Sequence, residues 1–357
     1  SYLDAARESN DPRIAERALK ITLYGQQSED ALEAARRWVS LAPENLEAHQ
    51  ALAALALRNG EQQEAQDEFE YLLAHGGQGD ADPYKPVLAL LAREPDKERA
   101  LTVMEQLFAE RPDDADACFA YARLAIHADK WTSAEQQVNR CLALRPDWTE
   151  SLILRAQIQI KLNKGEQARR DLDEALQRNP GDAALRTAYA RLLVDLDDYD
   201  AARAQYHELM EQQPDNGAVV YALALLSLEN GQYDEAGILF ERMVELDFQP
   251  QQAWYYLGAI EEEQKHHRKA LQWYDKVEEG SDHWVEVQIR MARLEAESGD
   301  VGVARERLRS LRLGQPAQAQ RLYLVEGEIL AGIGQYEEAF ALYAEYLASQ
   351  PDDIDIL

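Results

Sequence analysis

Basic side chains are scarce in this chain. Its 357 residues include 37 lysines and arginines against 66 aspartates and glutamates, which gives a formal net charge of −29. Duplex nucleic acid and anionic lipid surfaces are polyanions, so the chain is a poor candidate for binding either. A run of 18 apolar residues is also absent, which argues against a membrane-spanning helix in this sequence. We expect partners with apolar or basic surfaces.

Motifs that commonly carry catalysis are missing as well. There is no HExxH zinc motif, no Gly-rich phosphate loop and no serine nucleophile elbow. The seven histidines do not recur at metal-ligand spacing, and the adjacent His266 and His267 would point to different faces of a helix. The sequence therefore predicts a non-catalytic chain with no cofactor and no metal site.

Cysteine is limited to Cys118 and Cys141. Both fall at packing positions of two successive predicted helices, which favours two small buried thiols. In an oxidising compartment, the alternative is a disulfide between them, provided that their Cα atoms lie within about 7 Å.

The segment 217–248 contains two amphipathic helical patterns joined by a short turn. Apolar or small residues recur at helical spacing in each pattern, with Val220 and Leu223 in the first and Phe240 and Met243 in the second. Gly231 supplies the left-handed residue at which the first helix can end. A single helical hairpin cannot bury both of its faces, so it needs similar hairpins on either side.

The chain supplies these neighbours with a period of 34 or 35 residues. A small residue recurs once per period in the second helix, at Ala31, Ala65, Ala100, Ala134, Ala168, Ala202, Ala236, Ala270, Ala304 and Ala339. Such a position marks the close approach of two helix backbones. Seven residues later, a packing residue follows in every copy, from Trp38 and Leu72 to Leu311 and Tyr346.

This 34-residue helix–turn–helix unit resembles the tetratricopeptide repeat, or TPR. The eighth copy, for example, carries Trp254, Leu257, Gly258, Ala270 and Tyr274 at the positions of the family pattern. The resemblance implies an all-α, right-handed superhelical solenoid of about ten hairpins. The copies start near residues 12, 46, 81, 115, 149, 183, 217, 251, 285 and 320.

Three segments are predicted within this array. Residues 1–11 form the second helix of a truncated preceding repeat, and residues 12–80 contain copies one and two with a Gly-rich joint at their end. Residues 81–357 contain copies three to ten as one continuous solenoid. The joint, around Gly76, Gly77 and Gly79, is either a long loop or a hinge. We also expect residues to be missing at both ends, since solenoids need polar caps.

The resemblance places the first helix of each hairpin on the concave surface. Copies four to eight are unusually apolar at positions that the core does not require, which indicates a partner-binding groove. Its predicted residues are Phe119, Arg123, Ile126, Ile153, Gln157, Ile160, Arg191, Val194, Tyr221, Leu225, Leu228 and Tyr255. The alternative is that these side chains pack internally. The Lys and Asn pattern that clamps chaperone tails is not present.

A basic cluster stands out in copy nine, at Arg305, Arg307, Arg309 and Arg312. These arginines either meet an acidic partner or pair internally with acids of the preceding copy. Internal pairing is the favoured interpretation.

The segments 11–21 and 42–48 resemble large TPR lipoproteins of Gram-negative bacteria that partner a carboxyl-terminal processing protease. This resemblance implies a periplasmic adaptor, anchored to the outer membrane through an upstream lipid, that delivers cell-wall hydrolases for proteolysis. Its partners would be the protease and its substrate proteins. A cytoplasmic location is the alternative. Other functional interpretations are the TPR arm of a larger enzyme, such as a glycosyltransferase, and an envelope assembly or secretion scaffold.

Overall fold

The computed structural model describes residues 2–25, 28–77 and 82–350, and in these ranges it contains helices and turns but no strand. The chain divides into two compact units, Ser1–Leu196 and Asp197–Leu357. The first unit contains α1 Tyr2–Glu8, α2 Pro12–Tyr24, α3 Ser28–Leu41, α4 Leu46–Asn59, α5 Gln62–His75, α6 Tyr84–Leu91, α7 Lys97–Ala109, α8 Ala115–His127, α9 Trp131–Leu144, α10 Thr149–Lys161, α11 Gly165–Arg178 and α12 Ala183–Asp195.

The second unit continues the same alternation of first and second helices. It contains α13 Tyr199–Gln212, α14 Gly217–Glu229, α15 Tyr233–Glu245, α16 Pro250–Glu263, α17 His267–Tyr274, α18 Trp284–Glu297, α19 Val301–Gly314, a 3-10 turn Pro316–Gln318, α20 Ala319–Gly332 and α21 Tyr336–Ser349. The prediction of an all-α array of helical hairpins is confirmed.

The first helices begin at residues that the sequence marks as caps. The side chains of Asp11, Asn45, Asp114, Asp182 and Asn216 each accept a hydrogen bond from a backbone N–H in the following turn. This contact satisfies one of the amides that have no partner within the helix. These five caps are separated by 34 residues or about twice that number, so they mark the starts of five of the hairpins.

The turn between the two helices of a hairpin uses one residue in the left-handed conformation. Its φ is positive at the same repeat position in eight copies, at Gly60, Asp129, Asn163, Asp197, Gly231, Lys265, Gly299 and Gly334. Glycine, asparagine and aspartate tolerate this conformation best. Lys265 is the one residue of this set that is not glycine, asparagine or aspartate, and its φ is 63°.

The hairpin interiors confirm the predicted close approach of two backbones. All ten alanines of the repeat pattern are at most 5% exposed. The packing residues seven positions later, from Trp38 to Tyr346, are buried as well. Each hairpin thus contributes its second helix to the interior of its unit.

The predicted segment boundaries are only partly covered by the described residues. α1 corresponds to the predicted helix in residues 1–11, and α5 ends at His75 before the predicted joint. α6 begins beside Pro83, as the two prolines of that region require. Residues 78–81 of the joint and 351–357 of copy ten lie outside the described residues. The boundary at residue 80 and the continuity of 81–357 stay predictions.

Candidate functional site

In the first unit, eight of the predicted groove residues lie on three first helices. Phe119, Arg123 and Ile126 are on α8, and Ile153, Gln157 and Ile160 are on α10, while Arg191 and Val194 are on α12. None of the eight is buried. The five apolar members are half-buried, so each keeps surface that the rest of the unit does not cover.

The polar members of this surface occupy one repeat position. Arg123, Gln157 and Arg191 follow one another at 34-residue intervals, and all three are exposed. Among the residues that the structure describes, neither Arg123 nor Arg191 forms an ion pair, unlike most arginines of the chain. Their guanidinium groups can therefore bind a carboxylate without first breaking an internal contact.

One end of this surface is aromatic. The ring of Phe119 lies 4.6 Å from the ring of Trp148, between centroids. Trp148 also carries the Arg145 guanidinium at 4.3 Å from its ring, a cation–π contact. Trp148 was not among the predicted groove residues, because it precedes α10 and does not lie on the stripe of that helix.

In the second unit, the predicted groove residues lie on α14 and α16. Tyr221, Leu225 and Leu228 on α14 and Tyr255 on α16 are all half-buried. The Tyr221 hydroxyl accepts a 2.6 Å hydrogen bond from Gln252 Nε2. Burial, followed by a hydrogen bond with Tyr256, raises the pKa of Tyr221 to about 12. The side chain of Tyr221 is therefore held in place by these contacts. Leu225 and Leu228 are the predicted groove residues of α14 that no hydrogen bond holds.

Beyond Tyr255, the first helices of this unit carry paired charges instead of apolar surface. Tyr255 stacks on His283 at 4.3 Å between ring centroids. Arg290 donates to Glu262 at 3.1 Å and to Glu286 at 3.2 Å, and Arg293 donates to Glu328 at 3.0 Å.

The position equivalent to Tyr255 in the next copy holds Ile289, which is 1% exposed. The half-exposed apolar row of this unit is therefore interrupted at Ile289, although Leu324 at the equivalent position of α20 is again half-buried. No single-sequence signal distinguishes Ile289 from the earlier members, because the difference is in the neighbouring helices.

Three of the four arginines predicted to pair internally do so, Arg305, Arg307 and Arg312, but not with acids of the preceding copy, and Arg309 forms no ion pair among the described residues. Arg307 donates to Glu295 of its own copy. Arg305 pairs with Glu326 and Glu338, and Arg312 with Glu326, all in the following copy. Glu326 is 3% exposed, so the acid that receives both arginines is buried.

Cys118 and Cys141 are both buried and both free. A hydrogen bond between the two thiols lowers the pKa of Cys118, which shows that α8 and α9 bring them together. The prediction of two buried thiols agrees with this arrangement. The disulfide stays an untested alternative.

Among the described helices, none is both long enough and apolar enough to cross a bilayer. Within the same residues, no group of three or more His, Cys, Asp or Glu side chains is arranged to hold a metal ion.

Two family models, both described as tetratricopeptide repeat, match the chain. One matches residues 91–158, 159–226 and 193–260, and the other matches residues 289–354. Together they cover more than half of the sequence, so the chain belongs to the tetratricopeptide repeat family. Proteins of this family mediate protein–protein interaction as scaffolds, and nothing found in this chain indicates catalysis.

One similar protein is the TPR repeat-containing protein PA4667 of Pseudomonas aeruginosa. It is 37% identical over 101 residues, which are 28% of this chain and 17% of the relative. Among solved structures, YrrB, described as a TPR protein with an unusual peptide-binding site, has 19% identity and a TM-score of 0.37 over 48% of this chain and 87% of its own. Yeast Tom70 has 16% identity and a TM-score of 0.38 over 96% of this chain and 86% of its own.

Proposed function

We propose that this protein is a periplasmic adaptor that binds a carboxyl-terminal processing protease and its cell-wall hydrolase substrates, and so promotes their degradation. The identity of the partners rests on the lipoprotein resemblance of segments 11–21 and 42–48. A lipid anchor to the outer membrane is part of the same proposal.

The observation that supports a binding role most directly is the surface on α8, α10 and α12. Half-buried Phe119, Ile153 and Ile160 leave apolar area exposed, and Arg123 and Arg191 stand beside it without ion-pair partners. Apolar contacts supply affinity, and the two cations select carboxylates on the partner. Most arginines of this acidic chain form ion pairs, and two of the minority that form none among the described residues belong to this surface.

An adaptor needs no chemistry of its own. Binding a protease and a substrate to one scaffold converts their encounter into an intramolecular event, which raises the effective concentration of each for the other. Two weak contacts are then enough for efficient delivery.

The test is affinity capture from a bacterial envelope extract with the wild-type protein and two double variants. Arg123→Glu with Arg191→Glu reverses the charges of the surface. Arg17→Glu with Arg309→Glu makes the same change in net charge at exposed positions elsewhere. We expect wild type and the control to retain a serine protease of the carboxyl-terminal processing class, and the surface variant to lose it. Recovery of only outer-membrane assembly or secretion components would contradict the adaptor proposal.

A further inference from the structure

The second helix of copy eight is unusually short. α17 has 8 residues, whereas α15 before it has 13 and α19 after it has 14. After Tyr274 the chain continues in turns, with Gly280 at a φ of 94°, until α18 begins at Trp284. The final turns that a second helix of ordinary length would provide are therefore absent next to α19.

A groove of about 640 Å³ lies along α19 at this place. Trp284 and Gln288 of α18 contribute to its lining, together with Gly302, Val303 and Leu311 of α19. Val303 is 53% exposed, so it contributes apolar surface to the groove. Between Gly302 and Gly314, which both line the groove, α19 rises by about 18 Å. That length corresponds to roughly three turns of a docked helix, and the 5 or 6 residues by which α17 is shorter than its neighbours account for about half of it.

Packing within the unit does not explain why α19 contains glycine at positions 302 and 314. A Cβ added at Gly258 or Gly327 would collide with Tyr274 or Tyr343, so those glycines are needed for packing. A Cβ at Gly302 or Gly314 would meet nothing within 4 Å among the described residues. Gly302 is the second residue of α19 and Gly314 is its last, and alanine at either position would fit without a clash. The open face of α19 is thus kept flat without benefit to the packing of this unit.

The charges around the groove favour a basic occupant. Arg307 lies in the lining, but it donates to Glu295 at 3.0 Å and to Gln288 at 2.6 Å, so its charge is neutralised within the unit. Glu279 and Glu306 line the groove as exposed carboxylates. A net charge of −29 for the whole chain adds to the attraction of a cation.

We propose that this groove docks an amphipathic helix of a partner protein, with basic residues flanking its apolar stripe. The helix lies along α19 in the space that the missing turns of α17 leave, with its apolar side chains against Trp284, Val303 and Leu311. This is the helix-in-groove mode of recognition. The groove involves a second helix, so it is separate from the surface on α8, α10 and α12, and either proposal stands if the other fails.

The test measures the binding of a fluorescein-labelled, 18-residue amphipathic peptide of leucine and lysine by anisotropy at physiological salt. Gly302→Trp fills the groove without changing the charge. Gly332→Trp is the matched control, since a Cβ at Gly332, the last residue of α20, also meets nothing within 4 Å. We expect the wild type and Gly332→Trp to bind alike, and Gly302→Trp to bind at least tenfold more weakly. A peptide with glutamate in place of lysine should not bind.

Thermal unfolding of both variants verifies the fold, and neither substitution should lower the midpoint. Ser310→Trp fills the same groove from the next turns of α19 and should repeat the loss of binding. Equal affinity of the lysine peptide for wild type and both groove variants would overturn the proposed location. The proposed occupant would be overturned if the wild type failed to bind the lysine peptide, or if it bound the glutamate peptide equally tightly. It would also be overturned if Gly332→Trp weakened the binding of the lysine peptide as much as Gly302→Trp.

Discussion

At the scale of single residues, the hairpins are held together by small and large side chains placed 16 residues apart. Gly258 faces Tyr274, Gly327 faces Tyr343, and alanines such as Ala53 take the small position elsewhere, paired there with Phe69. In copy one, the order is reversed, with Leu19 on the first helix and Ala35 on the second. The two positions are not always complementary, since copy three holds Leu88 and Met104 there and copy four holds Ala122 and Val138.

Adding one methyl group at Gly258 should therefore destabilise the second unit. A Cβ there would lie 2.3 Å from Tyr274, which is fully buried and donates its hydroxyl to Glu262 at 2.6 Å. We expect Gly258→Ala to lower the free energy of unfolding by about 1–3 kcal/mol. Gly332→Ala, which meets no neighbour, should raise it slightly. Urea unfolding followed by circular dichroism measures both, and equal stability of the two variants would refute the packing argument.

Lys265 offers the opposite test, because it holds a left-handed conformation that favours glycine. Replacing it with glycine removes the steric conflict of its Cβ with the backbone. We expect Lys265→Gly to stabilise the protein by roughly 0.5–1 kcal/mol. A lower thermal midpoint for this variant would mean that the lysine side chain makes a contact that outweighs its strain.

The cysteines can be tested by counting thiols. With Cys118 and Cys141 buried and free, a maleimide reagent should label neither in the folded protein and both in denaturant, without reductant. Mass spectrometry gives the count directly. A protein that stays unlabelled in denaturant contains the disulfide instead.

At the scale of helices, ion pairs between successive first helices connect copies eight to ten. Glu286 of α18 accepts from Arg290 of the same helix and from Arg321 of α20. Burial raises the pKa of Glu286, but the two arginines outweigh it and hold the pKa below its usual range. The carboxylate is thus stabilised in its charged form by the fold.

This pKa shift predicts an acid-sensitive contribution to stability. A carboxyl with a lowered pKa in the folded state binds fewer protons there than when unfolded. The contribution of Glu286 to the free energy of unfolding is therefore present above the pKa of the unfolded state, which is about 4.3. It is lost as the pH falls through the lower pKa of the folded state. We expect Glu286→Gln to unfold at lower urea than wild type at pH 6, with the difference shrinking towards pH 3. Glu174→Gln, at an exposed position of α11, is the control. A difference that is constant with pH would contradict the assignment.

The sequence predicted the helices well because their signals are local and repeated. Asp11 and Pro12 mark the start of α2, and Gly231 marks the turn after α14. The end of α17 at Tyr274 was not predicted, because Ala270, Tyr274 and Val277 keep the helical spacing and Val277 remains buried in a turn. The partners of Arg305 and Arg312 were missed as well, since pairing between copies depends on how helices face one another.

At the scale of the whole molecule, repetition provides both the interior and the surface for partners. Each unit packs its own hairpins, and copies four to six present half-buried apolar residues beside unpaired arginines. The sequence could predict which positions lie outside the core stripe, since the period is regular. It could not predict that Ile289 would be buried while Tyr255 stays half-exposed, because that depends on neighbouring helices.

The most direct test of the scaffold proposal is the affinity of the captured protease for purified wild type, Arg123→Glu with Arg191→Glu, and the control Arg17→Glu with Arg309→Glu. Isothermal titration should show a dissociation constant at least tenfold larger for the surface variant, which is a loss of about 1.4 kcal/mol or more in the free energy of binding. The control should match the wild type, and the unfolding midpoints of all three proteins should agree. An unchanged affinity of the surface variant would contradict the claim that α8, α10 and α12 form the partner-binding surface.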